Sequence, residues 1–361
     1  MTTLRDVTWE NLESVPVPEK VAWFRENGRL FHVLFAQQFD RAQLDALGAL
    51  ATRIRFIAKS EEGLHFLQGV LSDKRAMIYF TQPSTRTFLS FCAACEILGI
   101  RIAEVRDKAV SSELKGESQE DSVRTFSSYF DLIVMRSEVQ GLAERMAWVL
   151  SNTDRPVPIL NAGSGKDQHP TQALLDVYTL QRSFETRGGI DGKRIAFVGD
   201  LARGRTVRSL SHLLTNYRGV TQVFVAPDAL QVGADIRDML AANGVKYVLT
   251  DDFESEIPMA DAIYMTRLQD EWDAGKPAGA RSGNHDYRFG PAQLRRLRQD
   301  AVVMHPFPRR AEIDPAVDHD PRAVYWRQMR NGMWIRTALM VTIFGREDRV
   351  AGYAGGRQDT T

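Results

Sequence analysis

Two doubly wound α/β domains, each with a central parallel sheet flanked by helices and joined by interdomain helices, are what this sequence predicts. Short apolar runs alternate with helical patterns: "RAMIYF", "RIAEV", "LIVMRS" and "VPILNAG" in the first half, then "RIAFVG", "TQVFVAP", "KYVLT", "DAIYM" and "AVVMH". Runs apolar on both faces suit strands covered by helices above and below. The chain of 361 residues, 43% of them hydrophobic, is long and apolar enough to build two cores.

Residues 1–34 precede this pattern; they contain "SVPVPEK", a stretch unsuited to regular structure, and read as an N-terminal extension. The first domain, residues 35–168, holds the stretch "TQPSTRTFLS" directly after "RAMIYF". Phe88, Phe91, Cys92, Cys95 and Leu98 recur at spacings of three and four, so a helix with one buried face follows, with Pro83 near its first turn. The first N–H groups of such a helix lack intrahelical partners. Beside the hydroxyls of Ser84, Thr85 and Thr87 and the guanidinium of Arg86, they suit an anion such as phosphate. An ordinary capping segment with a surface Arg is the bland alternative. "HPTQALLDVYTLQRSF", from His169, reads as a long helix between the halves, and "ETRGGIDGK" punctuates the entry to the second sheet, so the second domain is placed at residues 169–331. Residues 348–361, ending in "AGYAGGRQDTT", read as a disordered tail.

Lys and Arg number 46, and so do Asp and Glu, so no positive excess drives sequence-independent nucleic-acid binding. No signal peptide is recognisable and no apolar run is long enough to span a bilayer, from which a cytoplasmic location without a membrane partner is expected. The two cysteines, Cys92 and Cys95, match C-x-x-C, but their place on an apolar helix face points to packing and away from redox chemistry. None of the seven histidines forms H-E-x-x-H or pairs closely with another His or Cys, so neither a metal nor a cofactor is expected.

Sites in open parallel sheets lie beyond the carboxyl ends of the strands. There the sequence places Ser84 to Thr87, Arg136, His169 and Gln172, Arg205, Arg267 and Gln269, and His305 to Arg309. Arginines, amides and hydroxyls without an obligatory carboxylate describe a pocket for a multiply anionic ligand, in which orientation and charge stabilisation outweigh acid and base chemistry. One motif competes. "GDLARGRT" is one residue from a P-loop, which makes an ATPase the rival, but Arg205 stands where the compact ammonium of Lys is needed. "SSELKGES" taken alone is a solvated loop.

Taken in order, "PSTRT", "SSELKGES", "VMRS", "NAGSGKDQHPTQALLDVYT", "VGDLARGRTVRSL", "YMTRLQ" and "HPFPRRAEIDPAVDHDPRAVYWRQMRNGMWIRTALM" resemble the aspartate and ornithine carbamoyltransferases, and within them the aspartate branch. The similarity runs from about Phe39 to Gly345. It implies a carbamoyl-phosphate-binding domain at 35–168, completed by a C-terminal helix at 332–347, and an aspartate-binding domain at 169–331. The activity implied is transfer of a carbamoyl group from carbamoyl phosphate to L-aspartate, for pyrimidine biosynthesis. By the same resemblance Ser84, Thr85, Arg86 and Thr87 hold the phosphate, and Arg136 is shared between it and the carbonyl oxygen. His169 donates to that oxygen beside Thr87 and Arg136, while Gln172 and the backbone carbonyls of Pro306 and Phe307 hold the carbamoyl amide. Arg86, Thr87, Arg136 and His169 form the implied catalytic set. Arg205 meets the α-carboxylate of aspartate, Arg267 and Gln269 its β-carboxylate. A homotrimer is also implied, with Ser111 and Lys115 donated to a neighbouring site, Lys115 reaching both substrates. A regulatory or dihydroorotase-like partner stays open.

Two other hypotheses stand beside this one: an ornithine-like or specialised amine acceptor, and a non-catalytic subunit scaffold. Against the ornithine branch, the chain has His305-Pro306-Phe307-Pro308 in place of H-C-L-P and no S-M-G segment. It also departs from better-known bacterial members at Gln82, Phe88 and Trp272, where those carry Glu, usually Arg, and Arg. With both partners of their Glu–Arg ion pair gone, closure over aspartate is expected to use apolar contact by Trp272 and a mobile lid, "DEWDAGKPAGARSGNHDYRFG".

Overall fold

In a computed structural model of the chain, residues 3–106, 116–165, 168–267 and 287–355 are described. The chain forms two compact units, residues 1–174 with 330–361, and residues 175–329.

The first unit opens on α1 (Trp9–Ser14), α2 (Val17–Lys20) and an antiparallel hairpin of β1 (Arg25–Glu26) with β2 (Arg29–Leu30). The expectation that "SVPVPEK" has no regular structure is thus corrected for its last four residues. Pro18 falls in the first turn of α2, where a missing N–H costs nothing. This extension belongs to the core of its unit. Leu12 and Phe24 are fully buried in the cluster that holds Tyr79, Ile133 and Met146. The indole Nε1–H of Trp148 donates to the carbonyl of Val7 at 2.9 Å, and Lys20 Nζ lies 2.5 Å from Glu144 Oε1. That buried ion pair compensates both charges, whereas removing either partner would strand the other.

Next come α3 (Arg41–Ile57), α4 (Glu61–Gln68), β3 (Arg75–Phe80), α5 (Thr85–Leu98), β4 (Arg101–Val105), α6 (Gln119–Tyr129), β5 (Leu132–Ser137), α7 (Leu142–Ser151), β6 (Ile159–Ser164) and α8 (Pro170–Phe184). Asp40 and Gln43 begin α3 as a capping box, each side chain accepting from the other's backbone N–H. The sheet is parallel in the order β4-β3-β5-β6, and its register sets Phe80 opposite Arg136. Helix α5 buries Phe88, Phe91, Cys95 and Leu98, with Cys92 half-buried. Pro83 does not reach its first turn: Ser84 is extended (φ −164°, ψ 101°) and serves as N-cap, so the first helical residue is Thr85. Burial pushes the Cys92 thiol up to about 11 and Cys95 to about 12, so both stay protonated packing groups at neutral pH.

The second unit contains β7 (Arg194–Val198), α9 (Arg205–Leu214), β8 (Thr221–Val225), α10 (Ala234–Ala242), β9 (Lys246–Thr250), α11 (Phe253–Glu256), β10 (Ala262–Met265), α12 (Pro291–Arg296), β11 (Val302–Met304) and the start of α13 (Tyr325–Ile343). Its five strands are parallel in the order β11-β10-β7-β8-β9. Ala196 and Val198 of β7, Ile263 and Met265 of β10 and Val303 of β11 are buried with Phe289 and Tyr325 as its core. Helix α13 returns the chain to the first unit, where α14 (Glu347–Ala351) follows. The tail expected to be disordered from residue 348 therefore begins in a helix. Val350 is fully buried and the Tyr353 ring lies 4.5 Å from that of Phe66, apolar contacts that hold this end down. Among the described residues no helix is long and apolar enough to cross a membrane.

Candidate active site

In the first unit, β3 leads outward to β4 on one side while β5 and β6 lie on the other. The strand order therefore reverses between β3 and β5, the kind of switch point beyond whose carboxyl ends open α/β sheets bind their ligands. Both ends carry anion-binding chemistry. After β3 the chain turns through Gln82 and Pro83 into the N-terminus of α5, where Ser84 caps with its backbone but makes no side-chain cap bond. Thr87 is buried, whereas Thr85 and Arg86 are exposed. At the end of β5, the carbonyl of Arg136 accepts the N–H of Thr81 at 2.9 Å, which ties the two strand ends together.

Arg136 is only 7% exposed, and its Nη1 donates to the carbonyl of Ala162 at 2.9 Å. The next residue, Gly163, has φ +118°, and a Cβ there would lie 2.5 Å from Arg136 Nη1 and 3.3 Å from His169 Cδ2. Only glycine admits both the backbone conformation and the approach. Asn161 holds this irregular part of β6: its Oδ1 accepts from Gly163 N–H at 2.8 Å and its Nδ2 donates to Leu34 O at 3.1 Å. His169 is buried, and its carbonyl accepts the N–H groups of Gln172 and Ala173 at the start of α8. Its backbone is thus anchored independently of its imidazole. Arg336 of α13 braces the same region. It donates through Nη1 to Ser90 Oγ at 2.6 Å and through Nη2 to Thr171 Oγ1 at 3.4 Å, and its guanidinium lies 4.8 Å from the Phe91 ring centre. Phe88 packs 5.8 Å from Phe80, with Arg106 over its ring.

In the second unit the strand order reverses between β7 and β10. Arg205 is the first residue of α9, reached from β7 through Gly199 and the buried Asp200, whose Oδ2 lies 2.7 Å from Arg203 Nε. Arg267 follows β10 and is half-buried. Gly199 (φ +116°) makes the juxtaposition possible: a Cβ would meet the Thr266 carbonyl oxygen at 2.5 Å. Two cationic side chains are thereby rooted at the carboxyl ends of adjacent strands.

Beyond β11, the neighbour of β10, runs His305-Pro306-Phe307-Pro308, with Phe307 at φ +58° and the bond to Pro308 cis. A bulky residue in the left-handed region costs on the order of 1–3 kcal/mol and persists only where its surroundings over-determine it. Here the Phe307 ring is 5.0 Å from Trp326 and 5.9 Å from Tyr325. Asp318 pairs with Arg309 and accepts from the Tyr325 hydroxyl at 2.5 Å. The guanidinium holds the Asp318 carboxyl below its usual range, while burial and Asp318 push the phenol up. His305 Nε2 lies 2.7 Å from Glu312 Oε1; although burial works to raise that carboxyl, the bonds from His305 and the backbone keep it below its usual value.

Both halves match models of one family: residues 32–182 the aspartate/ornithine carbamoyltransferase carbamoyl-P binding domain, and residues 191–343 the aspartate/ornithine binding domain. Aspartate carbamoyltransferase 1, chloroplastic, of Pisum sativum is 40% identical over 313 residues, which are 86% of this chain and 78% of the pea protein. The chain belongs to the aspartate/ornithine carbamoyltransferase family. The aspartate carbamoyltransferase catalytic subunit of Vibrio vulnificus (strain CMCP6) is 38% identical over 86% of this chain and 96% of its own. Among solved structures, Trypanosoma cruzi aspartate transcarbamoylase in complex with aspartate and phosphate aligns with TM-score 0.75 and 38% identity, covering 87% of this chain and 96% of that one. The same enzyme with N-(phosphonacetyl)-L-aspartic acid aligns at TM-score 0.76 and 37% identity over 92% and 99%.

Of the residues singled out in this carbamoyltransferase sequence, Ser84 to Thr87, Arg136, His169 and Gln172 lie in the first unit, with Arg136 and His169 meeting at Gly163. Arg205, Arg267, Pro306 and Phe307 lie in the second, after β7, β10 and β11. Ser111, Lys115, Gln269 and Trp272 lie outside the described residues, as does most of the expected lid segment. Sequence reasoning gave no role to Asn161, Gly163 or Arg336. The "NAG" stretch carried a signal, since an isolated Gly inside a strand pattern marks a bulge or a close approach to the backbone. Arg336, inside an apolar helix, carried none.

Proposed function

We infer that the chain transfers the carbamoyl group of carbamoyl phosphate to the amino group of L-aspartate, giving N-carbamoyl-L-aspartate and phosphate, a step of pyrimidine biosynthesis. The observation that carries this is the match of both halves to the two domains of one family, with relatives named aspartate carbamoyltransferase at 38–40% identity.

In this account Ser84, Thr85, Arg86 and Thr87 hold the phosphate through the N-terminus of α5, and Arg136 bridges phosphate and carbonyl oxygen. As the amine of aspartate attacks, that oxygen becomes a tetrahedral oxyanion. Thr87, Arg136 and His169 then stabilise the developing charge with donors already aimed, so no reorganisation is needed. Gln172 and the carbonyls of Pro306 and Phe307 hold the carbamoyl amide, and the leaving phosphate takes the amine proton. Arg205 and Arg267, with Gln269, take the two carboxylates of aspartate; two guanidinium groups at one strand crossover suit a dicarboxylate better than a distal ammonium. Neither metal nor cofactor enters any of these steps, and a cytoplasmic location goes with them. The decisive assay offers purified protein carbamoyl phosphate with aspartate, ornithine and other amines in turn. Aspartate is expected to be the carbamoylated acceptor; preference for ornithine, or no transfer to any amine, would overturn the assignment.

The same account makes the working unit a homotrimer, with Ser111 and Lys115 completing a neighbour's site. Mixing an inactive Lys115→Ala chain with an inactive Arg86→Ala chain is then expected to restore activity, because some sites in a mixed trimer contain neither defect. Demonstrably mixed oligomers that stay inactive would contradict shared sites.

A further inference from the structure

The loop after β11 is wired into the interior of its unit by a relay that the carbamoyl-transfer account leaves unused. His305 is 1% exposed. Its Nδ1 accepts the N–H of Phe307 at 2.8 Å, and its Nε2 lies 2.7 Å from Glu312 Oε1. An N–H can only donate, so Nδ1 carries a lone pair and the ring proton sits on Nε2, directed at Glu312. Glu312 Oε1 and Oε2 also accept from the backbone N–H of Arg310, both at 3.1 Å. On the other side, the N–H of His305 donates to Gln328 Oε1 at 2.9 Å, and Gln328 Nε2 donates to Asp176 Oδ1 at 2.7 Å. Asp176 is fully buried and also accepts from the Tyr264 hydroxyl at 2.7 Å. A chain of bonded groups therefore runs from helix α8 to the backbone of Phe307, the bulky residue held at φ +58°.

We propose that His305 is a positioning residue: by accepting the Phe307 N–H it locks the left-handed backbone of Phe307, and so aims the Pro306 and Phe307 carbonyls at the amide of the carbamoyl group. This rests on the assignment of those carbonyls under the proposed function. Phosphate, which has no amide, does not depend on them. Loss of the Nδ1 acceptor therefore weakens carbamoyl phosphate selectively, and it slows transfer because the carbonyl carbon is no longer presented to the amine. The aromatic contacts from Tyr325 and Trp326 fix the side chain of Phe307, while His305 fixes its peptide plane.

Side-chain isosteres separate the two nitrogens. In His305→Asn the Oδ1 atom replaces Nδ1 as acceptor, whereas His305→Gln supplies a donor near the place of Nε2 and no acceptor at Nδ1. Each variant is measured for turnover with aspartate and for the dissociation constants of carbamoyl phosphate and inorganic phosphate. His305→Gln is expected to lose about tenfold or more in carbamoyl phosphate affinity and in kcat, with phosphate affinity within about twofold of the parent, and His305→Asn to recover most of the loss. Glu312→Ala, which removes the partner of Nε2 and leaves the Nδ1 acceptor in place, is expected to keep carbamoyl phosphate affinity and kcat within about threefold of the parent, and with His305→Asn it keeps the proposal testable where His305→Gln does not fold. Parental affinity in His305→Gln, equal weakening of both ligands, His305→Asn no better than His305→Gln, or a loss of about tenfold in Glu312→Ala would overturn the positioning role. Failure of the parent protein to carbamoylate any amine would overturn the assignment of the carbonyls instead, so the two failures are told apart.

Discussion

Gly163→Ala is expected to lower turnover by about a hundredfold while the fold survives. The methyl group would sit 2.5 Å from Arg136 Nη1 and 3.3 Å from His169 Cδ2, and neither approach is tolerable. The backbone at φ +118° is closed to an L side chain, which costs on the order of 1–3 kcal/mol of stability. The guanidinium is the softer of the two obstacles, so it moves, breaking its bond to Ala162 O. A displaced charge-assisted donor is worth about 1.5–3 kcal/mol, and His169 is crowded in the same event. Steady-state kinetics and thermal unfolding of the variant check both parts. Parental kcat would mean that neither Arg136 nor His169 needs its observed place.

His169→Ala is expected to reduce kcat by about 10²–10³ with little change in carbamoyl phosphate affinity, the signature of a donor that acts mainly once the oxyanion forms. The architecture favours a clean result. The helix cap at this position is made by the backbone carbonyl, which accepts from Gln172 and Ala173 whatever the side chain. The thermal midpoint should therefore shift far less than turnover does. An affinity loss with unchanged kcat would move His169 from transition-state stabilisation to ground-state binding.

The strands were legible in the sequence because each is a short apolar run: "RAMIYF" became β3 and "LIVMRS" β5, both largely buried, and "KYVLT" became the partly exposed edge strand β9, all at their full quoted lengths. The face of α5 was legible for the same reason, since periodicity records which side meets the core. Errors came where local chemistry and packing compete. The stretch "SVPVPEK" reads as irregular although a first helical turn accepts Pro18, and the tail from residue 348 reads as disordered although Val350 finds a buried place. Apolar content too sparse to show as a pattern can still suffice once a groove exists to receive it.

By itself the sequence determined which residue types stand at the strand ends, and with them the chemistry on offer: hydroxyls and Arg86 after β3, Arg136 on β5, His169 before α8, Arg205 after β7 and Arg267 after β10. That information is local, because a strand's end and the residue after it are neighbours in the chain. Only the tertiary structure decided which ends become neighbours in space. Strand order brings β3 beside β5 and β7 beside β10, a matter of pairing between segments far apart in sequence. It also decided the supports: Gly163 making room for Arg136, Arg336 reaching from α13 to Ser90 and Thr171, and His305 turning a ring nitrogen toward Phe307. These are contacts of one or two atoms, set by distances of a few ångströms and by hydrogen-bond direction. No periodicity records them, because nothing repeats.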